Sequence, residues 1–584
     1  MPQWRGPTGS TSRLCQPDLL FGLPLTVPRF AQYPTRSHQN TFDSMQRYLP
    51  AALSLAVACA HTVPPPHAGT PAPDEIRAVI DRYDAPWNWR DSTVLAGYLA
   101  PDYVYFRSTS RLTWQGEAFS NDRRCRLVLD RGSEQWRILS EHCTQIAPRS
   151  TLALTDVTVL DGTGAPPMLG MTIVIEKDRI ADIFRTGERE PPAGATVRRL
   201  NEHYVIPGLI DAHVHVFAAP LATTDSSAVA EYLAREQARM GRVLRGGVTT
   251  VRNMAGRCRA TRELARQVEL GELEAAEPYF GAVVIGAAGL SLPGMERRQP
   301  GEMMAEFQRA NPGCRRVIDG PFDPQEVVAA AKAAGATGMK LYGDLSAEVA
   351  EQIAEEAHLQ GLMVWAHATL FPARPRELVR GGVDVLSHSP HLIWEVVDSL
   401  PDFVTREGPP GPFESVLASD PAIEGLLRLM AESGSILDPT LLYYHLLATA
   451  PDTAGQILTE RVARNRWGLD VTRRAHELGV PIVAGTDAMG AEEEGSQPNL
   501  HRELEILVTE VGVSPIEAIA SATSVGARVL GLENTLGTIA IGKQADLVVL
   551  RSDPTLDIRN TRDIAFVVKR GRIIAGDPPT PSGQ

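Results

Sequence analysis

The stretch VIPGLIDAHVHV, residues 205–216, is predicted to form one buried strand, and the rest of the fold is interpreted from it. Its apolar run ends in two histidines, His213 and His215, spaced two residues apart. Because side chains alternate between the two faces of a strand, both imidazoles are expected on one face, about 7 Å apart along the chain. Two neutral imidazoles directed at one point are good ligands for zinc or a similar divalent ion. Two histidines satisfied within a core are the alternative, and residues further along the chain decide between these interpretations.

The length and composition indicate a globular chain of two or three domains. With 584 residues, the chain is too long for one compact domain. Its 43% hydrophobic and 22% charged residues are ordinary for a globular protein. The net charge of −13 and the lack of a basic stripe with interleaved aromatic residues argue against a nucleic-acid partner.

Residues 1–59 are predicted to be an upstream extension followed by an export signal. Residues 45–59, MQRYLPAALSLAVAC, contain a basic start, a short apolar run and small residues before Cys59. An apolar run of about ten residues is too short to cross a bilayer as a helix but suits a secretory signal. A plain signal peptide and membrane attachment through a lipidated Cys59 are the two alternatives. We expect an exported protein, either periplasmic or lipid-anchored in the cell envelope.

Residues 60–73 are a Pro-rich linker, and residues 74–146 are predicted to form a small α+β accessory module. The phrases LAPDYVYFRS and WRILSEHCTQI within this module resemble the nuclear transport factor two-like fold. Cys125 and Cys143 lie on two predicted strands, where they could face each other across a hairpin. With Cys258 and Cys314 they make an even number of cysteines beyond residue 59, which fits an oxidising compartment.

Two β-rich segments, 147–204 and 516–580, flank the middle of the chain. Each is too small to bury a core by itself, so we predict that both ends form one β-sandwich with residues 205–515 inserted. The inserted segment alternates eight predicted strands with helices, the pattern of a (β/α)8 TIM barrel. The predicted fold class is therefore α/β: a TIM barrel inserted in a small β-sandwich, plus the N-terminal α+β module. The eight predicted strands are 205–216, 248–253, 279–285, 337–342, 362–367, 383–388, 435–438 and 481–487.

Side chains that can bind metals stand at the predicted carboxyl ends of five strands. Barrel enzymes place their chemistry at this end, so these side chains are expected to meet at one mouth. So many ligand-type residues at strand ends are hard to explain by chance. They are His213, His215, Lys340, His367, His388 and Asp487.

The motifs VIPGLIDAHVH, GVTTVRN, MKLY, AHA, SHS, AGTDA and GKQADLVVL occur in an order that resembles the amidohydrolase superfamily. The resemblance covers about residues 150–575 and is strongest to the imidazolonepropionase and zinc-dependent Xaa-Pro dipeptidase-like branch. It implies two divalent metal ions, expected to be zinc. His213, His215 and Asp487 would bind one ion, and His367 and His388 the other. Lys340 would bridge both as a carbamate, and Asn253 departs from the family by replacing a common Asp.

This resemblance implies hydrolysis of an amide-type C–N bond in a dipeptide, an N-acyl amino acid or a similar small molecule. Asp487 would act as general acid and base for hydroxide formed from a metal-held water. Tyr342 is predicted to donate a hydrogen bond to the substrate or oxyanion, and a packed aromatic at the barrel mouth is the alternative. Tyr443 and His391 are candidate substrate contacts, with ordinary loop residues as the alternative. The loop 287–323 is a candidate lid.

Two rival hypotheses remain open at this stage. One is a mononuclear hydrolase of cyclic amides, similar to imidazolonepropionase, in which Lys340 has no role. The other is a non-catalytic binding protein built on the same frame. Neither hypothesis excludes an oligomer.

Overall fold

The computed structural model describes nine segments of the chain: residues 97–100, 103–114, 117–131, 136–146, 151–218, 226–288, 313–402, 411–452 and 455–574. The predicted export signal, Cys59, the Pro-rich linker and the first helix of the accessory module lie outside these segments. Within them, no helix combines the length and the apolar character needed to span a membrane.

The described part of the accessory module is a four-stranded antiparallel sheet. In its backbone register Cys125 lies opposite Cys143, as the predicted hairpin required. The strands follow one another in space as they do in sequence: β1 (Gly97–Ala100), β2 (Tyr103–Trp114), β3 (Glu117–Arg131) and β4 (Trp136–Ile146).

The next five strands begin a second, mixed sheet. The first pairs antiparallel with the second, and the second pairs antiparallel with the third through a tight turn at residues 177–178. The fourth and fifth run parallel to the first. These strands are β5 (Leu152–Val159), β6 (Met168–Glu176), β7 (Arg179–Arg185), β8 (Thr196–Arg199) and β9 (Tyr204–Pro207).

The stretch 205–216 is two strands, where the sequence predicted one. Strand β9 belongs to the mixed sheet, whereas β10 (Leu209–Val214) begins the barrel. The chain crosses between the sheets at Gly208, whose N–H donates to the carbonyl of Asp546. A Cβ at this position would lie 2.2 Å from Oγ1 of Thr249, so only glycine permits the close approach.

The middle of the chain forms a nearly closed barrel of parallel strands, as predicted. Seven strands pair in the order β10-β11-β12-β14-β15-β16-β17. Beyond β10, their bounds are β11 (Val248–Asn253), β12 (Glu277–Gly286), β14 (Gly338–Leu341), β15 (Met363–His367), β16 (Val385–Ser387) and β17 (Ile436–Asp438). A further short strand, β13 (Arg315–Ile318), lies off this order and pairs with β12.

The predicted eighth strand, 481–487, lies in the gap of the barrel without becoming a regular strand. Leu437 donates its N–H to the carbonyl of Pro481 at 2.9 Å, and Ala212 donates to the carbonyl of Ala484 at 3.0 Å. The segment therefore bridges β17 and β10, although only Leu437 and Ile482 form a β-bridge.

Helices alternate with the barrel strands, as predicted. The helix Leu500–Ile506 is short and continues as a π-helical turn over Leu507–Val511. The helices are α1 (Ser226–Arg245), α2 (Cys258–Leu270), α3 (Pro324–Ala333), α4 (Ala347–Leu359), α5 (Pro375–Arg380), α6 (Pro421–Ser433), α7 (Leu441–Thr449), α8 (Thr459–Glu477), α9 (Leu500–Ile506), α10 (Pro515–Ser521) and α11 (Ser524–Arg528), with 3₁₀ turns at Ser389–Glu395 and Ile558–Arg562.

The end of the chain returns to the mixed sheet. Strands β18 (Leu547–Leu550), β19 (Ile564–Lys569) and β20 (Arg572–Ile574) extend it beyond β9, giving the order β20-β19-β18-β9-β5-β6-β7, with β8 paired to β5. Side chains from both ends of the chain share one apolar core, as predicted. They are joined in a single hydrogen-bonded sheet of eight strands.

The domain boundary at residue 515 is a correction to the sequence prediction. Helices α10 and α11 were assigned to the outer sheet, but they pack on the barrel. Ile210 of β10 donates its N–H to the carbonyl of Ala522 at 2.7 Å, and Ala527 packs in one cluster with Ile210 and Ala212. The apolar faces of these helices cover the barrel, and the chain rejoins the outer sheet at β18.

Candidate active site

His213 is held in one orientation by a buried carboxylate. It is the next-to-last residue of β10, with 1% of its surface exposed, and its Nδ1 lies 2.7 Å from Oδ2 of Asp438. A carboxylate only accepts hydrogen bonds, so Nδ1 carries the proton and Nε2 keeps its lone pair. That Nε2 lies 3.7 Å from Oδ1 of Asp487 at the barrel mouth.

His388 is held in the same manner by a hydroxyl group. Its Nδ1 lies 2.9 Å from Oγ1 of Thr440, and that hydroxyl donates to the carbonyl of Pro439 at 2.8 Å. The hydroxyl proton is thereby used, so Nδ1 of His388 is the donor and Nε2 keeps its lone pair. His388 has a φ of 74°, a left-handed conformation that turns the chain sharply just after β16.

Asp487 lies against the two histidines of the first barrel strand. Its Oδ1 is 3.0 Å from Nε2 of His215, and its N–H donates to the carbonyl of His213 at 2.8 Å. Burial raises the pKa of Asp487, but the electrostatic interaction with the His213 ring and the hydrogen bond with His215 outweigh burial and leave the pKa below its usual value. The carboxylate is therefore ionised at neutral pH.

Lys340 is a buried lysine without a hydrogen-bond partner at Nζ among the described residues. It lies in β14 with 1% of its surface exposed. Burial lowers its pKa to about 7, and nearby Arg252 adds to the lowering against the opposing effect of Asp438. A large fraction of this amine is therefore neutral near pH 7, and a neutral amine can attack carbon dioxide to form a carbamate with release of a proton.

The four imidazoles form one cluster at the mouth. Ring centroids are 5.5 Å apart for His213 and His215, 5.0 Å for His213 and His388, and 4.7 Å for His367 and His388. Burial lowers the pKa of His213, His367 and His388 well below the usual value, and each is further lowered by neighbouring positive groups. Neutral imidazoles are the form that binds metal ions.

His213, His388 and Asp487 form a compact group, although the sequence analysis assigned them to two different ions. One ligand atom from each of His213, His388 and Asp487 lies within 4.8 Å of the others. His213 and Asp487 were predicted on the first ion and His388 on the second. His215, His367 and Lys340 surround this group, so the barrel brings all six predicted residues to one mouth.

The donor set fits a divalent cation. Two imidazoles present Nε2 lone pairs because Asp438 and Thr440 engage their Nδ1 atoms, and Asp487 supplies an anionic oxygen. The amine of Lys340 as it stands would repel a cation, whereas a carbamate on the same nitrogen would supply anionic oxygens. These residues can therefore hold metal ions with nitrogen and oxygen ligands.

Asp438 and Arg252 are site residues that the sequence interpretation missed. Both are fully buried, and Nη2 of Arg252 donates to Oδ2 of Asp438 at 2.9 Å, with Oγ of Ser387 donating at 2.9 Å. The Arg252 guanidinium stacks 4.8 Å from the ring of Trp365. Asp438 ends the seventh strand, so the rule that placed the other ligands at strand ends could have found it.

Asn253, the departure from the family motif, fixes the chain next to His215. Its Oδ1 accepts from the N–H of Val216 at 2.9 Å, and its Nδ2 donates to the carbonyl of Val216 at 3.2 Å. An amide both accepts and donates, which a carboxylate cannot do. Asn253 therefore has a supporting role here.

The predicted substrate contacts lie around the histidine cluster. The ring of Tyr342 is 4.5 Å from that of His367, and the ring of Tyr443 is 6.4 Å from that of His388. The ring of His391 is 5.5 Å from that of His388. Most of the predicted lid, residues 289–312, lies outside the described segments.

The fold and this site define a TIM-barrel hydrolase. Residues 204–575 match the amidohydrolase family, and the chain belongs to that family. An uncharacterized protein of Mycobacterium tuberculosis is 25% identical over 435 residues, which cover 73% of this chain and 97% of that protein.

Two further relatives bear names that describe activities. A solved structure of a Xaa-Pro dipeptidase with bound methionine has a TM-score of 0.58 and 21% identity, covering 73% of this chain and all of its own. The imidazolonepropionase of Symbiobacterium thermophilum is 34% identical over 110 residues, 18% of this chain and 25% of the enzyme. The first likeness supports the fold, and the second is confined to a short part of both chains.

Proposed function

We propose that this protein hydrolyses an amide-type C–N bond of a small molecule such as a dipeptide or an N-acyl amino acid. The observation that carries the proposal is the convergence of His213, His388 and Asp487 within 4.8 Å at the mouth of the barrel. An amidohydrolase barrel whose six predicted metal-binding residues all lie at one mouth contains the groups that hydrolysis requires. Two oriented imidazoles beside an ionised carboxylate favour a hydrolase over a non-catalytic scaffold protein, which does not require such an arrangement.

Two divalent ions, zinc in this proposal, would be held by the six predicted ligands. When bound, such ions lower the pKa of water and polarise the scissile carbonyl. His213 and His388 would offer Nε2, because Asp438 and Thr440 engage their Nδ1 atoms. Lys340 would bridge both ions as a carbamate, which its burial and unpartnered Nζ favour.

Asp487 is the proton carrier in this proposal. Its carboxylate is ionised and lies 3.0 Å from Nε2 of His215, at the edge of the cluster. It would take the proton from the attacking water and pass it to the amine nitrogen as the C–N bond breaks. Tyr342, next to His367, would donate to the carbonyl oxygen, while Tyr443 and His391 would contact the substrate.

A hydrolysis screen tests the proposal. Zinc-reconstituted full-length protein would be assayed with Xaa-Pro dipeptides, Xaa-Arg dipeptides and N-acyl amino acids. We expect turnover in at least one series, and at least about a hundredfold loss of kcat in Asp487→Asn, since acid–base catalysis is typically worth that much. Full activity of Asp487→Asn would refute the assigned role. A metal-loaded protein that hydrolyses nothing would favour the non-catalytic binding hypothesis.

We also propose that the protein functions outside a reducing cytosol. Cys258 and Cys314 form a disulfide, and disulfides persist in oxidising compartments. The disulfide supports the predicted export, whose signal lies outside the described residues.

A further inference from the structure

Helix α7 begins without the side-chain cap that the residue before it could supply. Thr440 stands where a threonine usually accepts a hydrogen bond from the first turn of its helix, yet no such bond forms among the described residues. Its Oγ1 lies instead 2.9 Å from Nδ1 of His388. With a φ of 51°, Thr440 also has a left-handed conformation that a branched side chain rarely adopts. The surrounding structure must therefore hold this turn in place.

Glu503 of α9 supplies the missing cap. Its Oε1 accepts from the N–H of Leu441 at 3.0 Å, and its Oε2 accepts from the N–H of Leu442 at 2.6 Å. These are the first two residues of α7, and N–H groups at the start of a helix have no partner within that helix. Glu503 is fully buried, and a buried N–H that loses its partner costs free energy. The start of α7 therefore depends on a carboxyl group 61 and 62 residues further along the chain.

The cap does not depend on the charge of Glu503. Burial raises the pKa of this carboxyl to about 8 against the opposing effect of the hydrogen bonds from Leu442 and Leu441. A carboxyl oxygen keeps a lone pair in either protonation state, whereas an amide nitrogen accepts no hydrogen bond. A glutamine in place of Glu503 would therefore set its NH₂ group against one of the two N–H groups at any pH.

The start of α9 is fixed against the segment that carries Asp487. Asn499, the residue before this helix, donates its N–H to the carbonyl of Met489 at 3.0 Å and its Nδ2 to the carbonyl of Ala488. Ala488 directly follows Asp487. Glu503 lies about one turn further along, so one short helix contacts both the Asp487 segment and the start of α7.

We propose that Glu503 is a positioning residue that keeps the Thr440 hydroxyl available to His388. With Glu503 in place, the first turn of α7 requires no hydrogen bond from Thr440. Without Glu503, that hydroxyl would be drawn to the unpaired N–H groups of its own helix, the usual role of threonine at this position. His388 would then lose the hydrogen bond that leaves its Nε2 lone pair facing the mouth. This role rests on the proposed function, because it takes His388 as a metal ligand.

Zinc affinity, measured on the full-length protein by competition with a chelator, tests this role without relying on turnover. Glu503→Gln should lower the affinity about tenfold or more, the usual effect of losing a group that orients a metal-binding histidine. Glu503→Asp keeps a carboxyl group that can satisfy one N–H, so it should lose less. Thr440→Val removes the hydroxyl itself and should lower the affinity by a similar factor. Because both residues act through one hydrogen bond, the Glu503→Gln/Thr440→Val double variant should bind zinc no more weakly than the weaker single variant.

Glu277→Gln is the matched control for a loss of stability. It replaces another buried glutamate, but one that pairs with Lys569 and Arg570 of the outer sheet, and it should keep the wild-type zinc affinity. Circular dichroism at the assay temperature would show that each variant is folded.

The outcomes separate the role of Glu503 from the hydrolase itself. An unchanged zinc affinity in Glu503→Gln would overturn this role, and so would losses that multiply in the double variant. An equal loss in Glu277→Gln would also overturn it, because the effect would then follow overall stability. Absence of hydrolysis with the coupling to Thr440 intact would instead count against the proposed hydrolase and leave the role of Glu503 standing.

Discussion

The carboxylate of Asp438 accepts a hydrogen bond from Nδ1 of His213 at 2.7 Å, across 225 residues of sequence. The same Oδ2 atom also accepts from Arg252 and Ser387. Three donors on one buried carboxylate fix its position, and through it the Nε2 lone pair of His213 faces the barrel mouth. The orientation of this ligand is therefore set by a residue that touches no substrate.

Replacing Asp438 with asparagine should weaken metal binding. The amide can turn its NH₂ group toward Nδ1, which favours the tautomer with the proton on Nε2 and removes the lone pair that faces the mouth. We expect zinc affinity to fall by about 10- to 100-fold, as for other residues that orient metal-binding histidines. Competition with a chelator would measure it. Asp384→Asn removes a carboxylate that pairs with His358 on the outside of the barrel, and it should leave zinc affinity unchanged.

Replacing Lys340 should change the number of bound metal ions. If a carbamate on Lys340 bridges two ions, the protein purified in the presence of bicarbonate should hold about two ions per chain. Lys340→Ala should hold about one or fewer, and added short-chain carboxylic acids should restore part of the lost activity. Elemental analysis of both proteins checks this. About one ion per chain in the wild-type protein would favour the mononuclear hydrolase.

Glu277 joins the barrel to the outer sheet through a buried charge network, and its loss should destabilise the protein. It pairs with Lys569 at 3.1 Å and Arg570 at 2.6 Å, and its side chain is 7% exposed. Burial raises its pKa, but the two cations outweigh burial and hold the pKa at about 2. We expect Glu277→Gln to lower the free energy of unfolding at pH 7 by about 3 kcal/mol, because Arg570 loses its carboxylate partner and Lys569 keeps only Asp546, at 2.7 Å. Denaturant titration measures the loss.

The pH dependence of this effect has a definite sign. Because the pKa of Glu277 is lower in the folded state than its usual 4.5, its contribution is complete above pH 4.5 and disappears as the pH falls toward 2. The stability difference between wild type and Glu277→Gln should therefore shrink over that interval. Asp182→Asn, which breaks the exposed pair with Arg189, should cost less than about 1 kcal/mol at any pH.

Removing the Cys258–Cys314 disulfide should lower stability in the oxidised protein. The bond closes a loop with a sequence separation of 56 residues, and loss of such a bond typically costs about 2–5 kcal/mol. We expect the Cys258→Ser/Cys314→Ser double variant to unfold at lower denaturant concentration than the wild type. A reducing agent should lower the stability of the wild-type protein further than that of the double variant. Equal sensitivity of both proteins would show that the bond contributes nothing.

Most of the barrel could be predicted because its signals are local. Alternating apolar strands and amphipathic helices placed β11 at its observed bounds and most other elements within two or three residues. The sequence analysis did not predict that Gly208 divides residues 205–216 into two strands. Two apolar strands that belong to adjoining sheets give one continuous apolar run in the sequence. Residues 481–487 were predicted to be a regular eighth strand. Their backbone hydrogen bonds go to the strands on both sides without forming a regular ladder, so the segment is not a full strand.

Strand periodicity and order along the chain were enough to predict which residues stand at the strand ends. These residues are His213, His215, Lys340, His367, His388 and Asp487. How two of those residues are held became visible only in the folded chain, where Asp438 lies behind His213 and Thr440 lies behind His388. Periodicity describes neighbours along one strand. Orientation and pKa depend on hydrogen bonds, burial and charges supplied by segments that are distant in sequence, 52 residues away for His388 and 225 for His213, which no local pattern encodes.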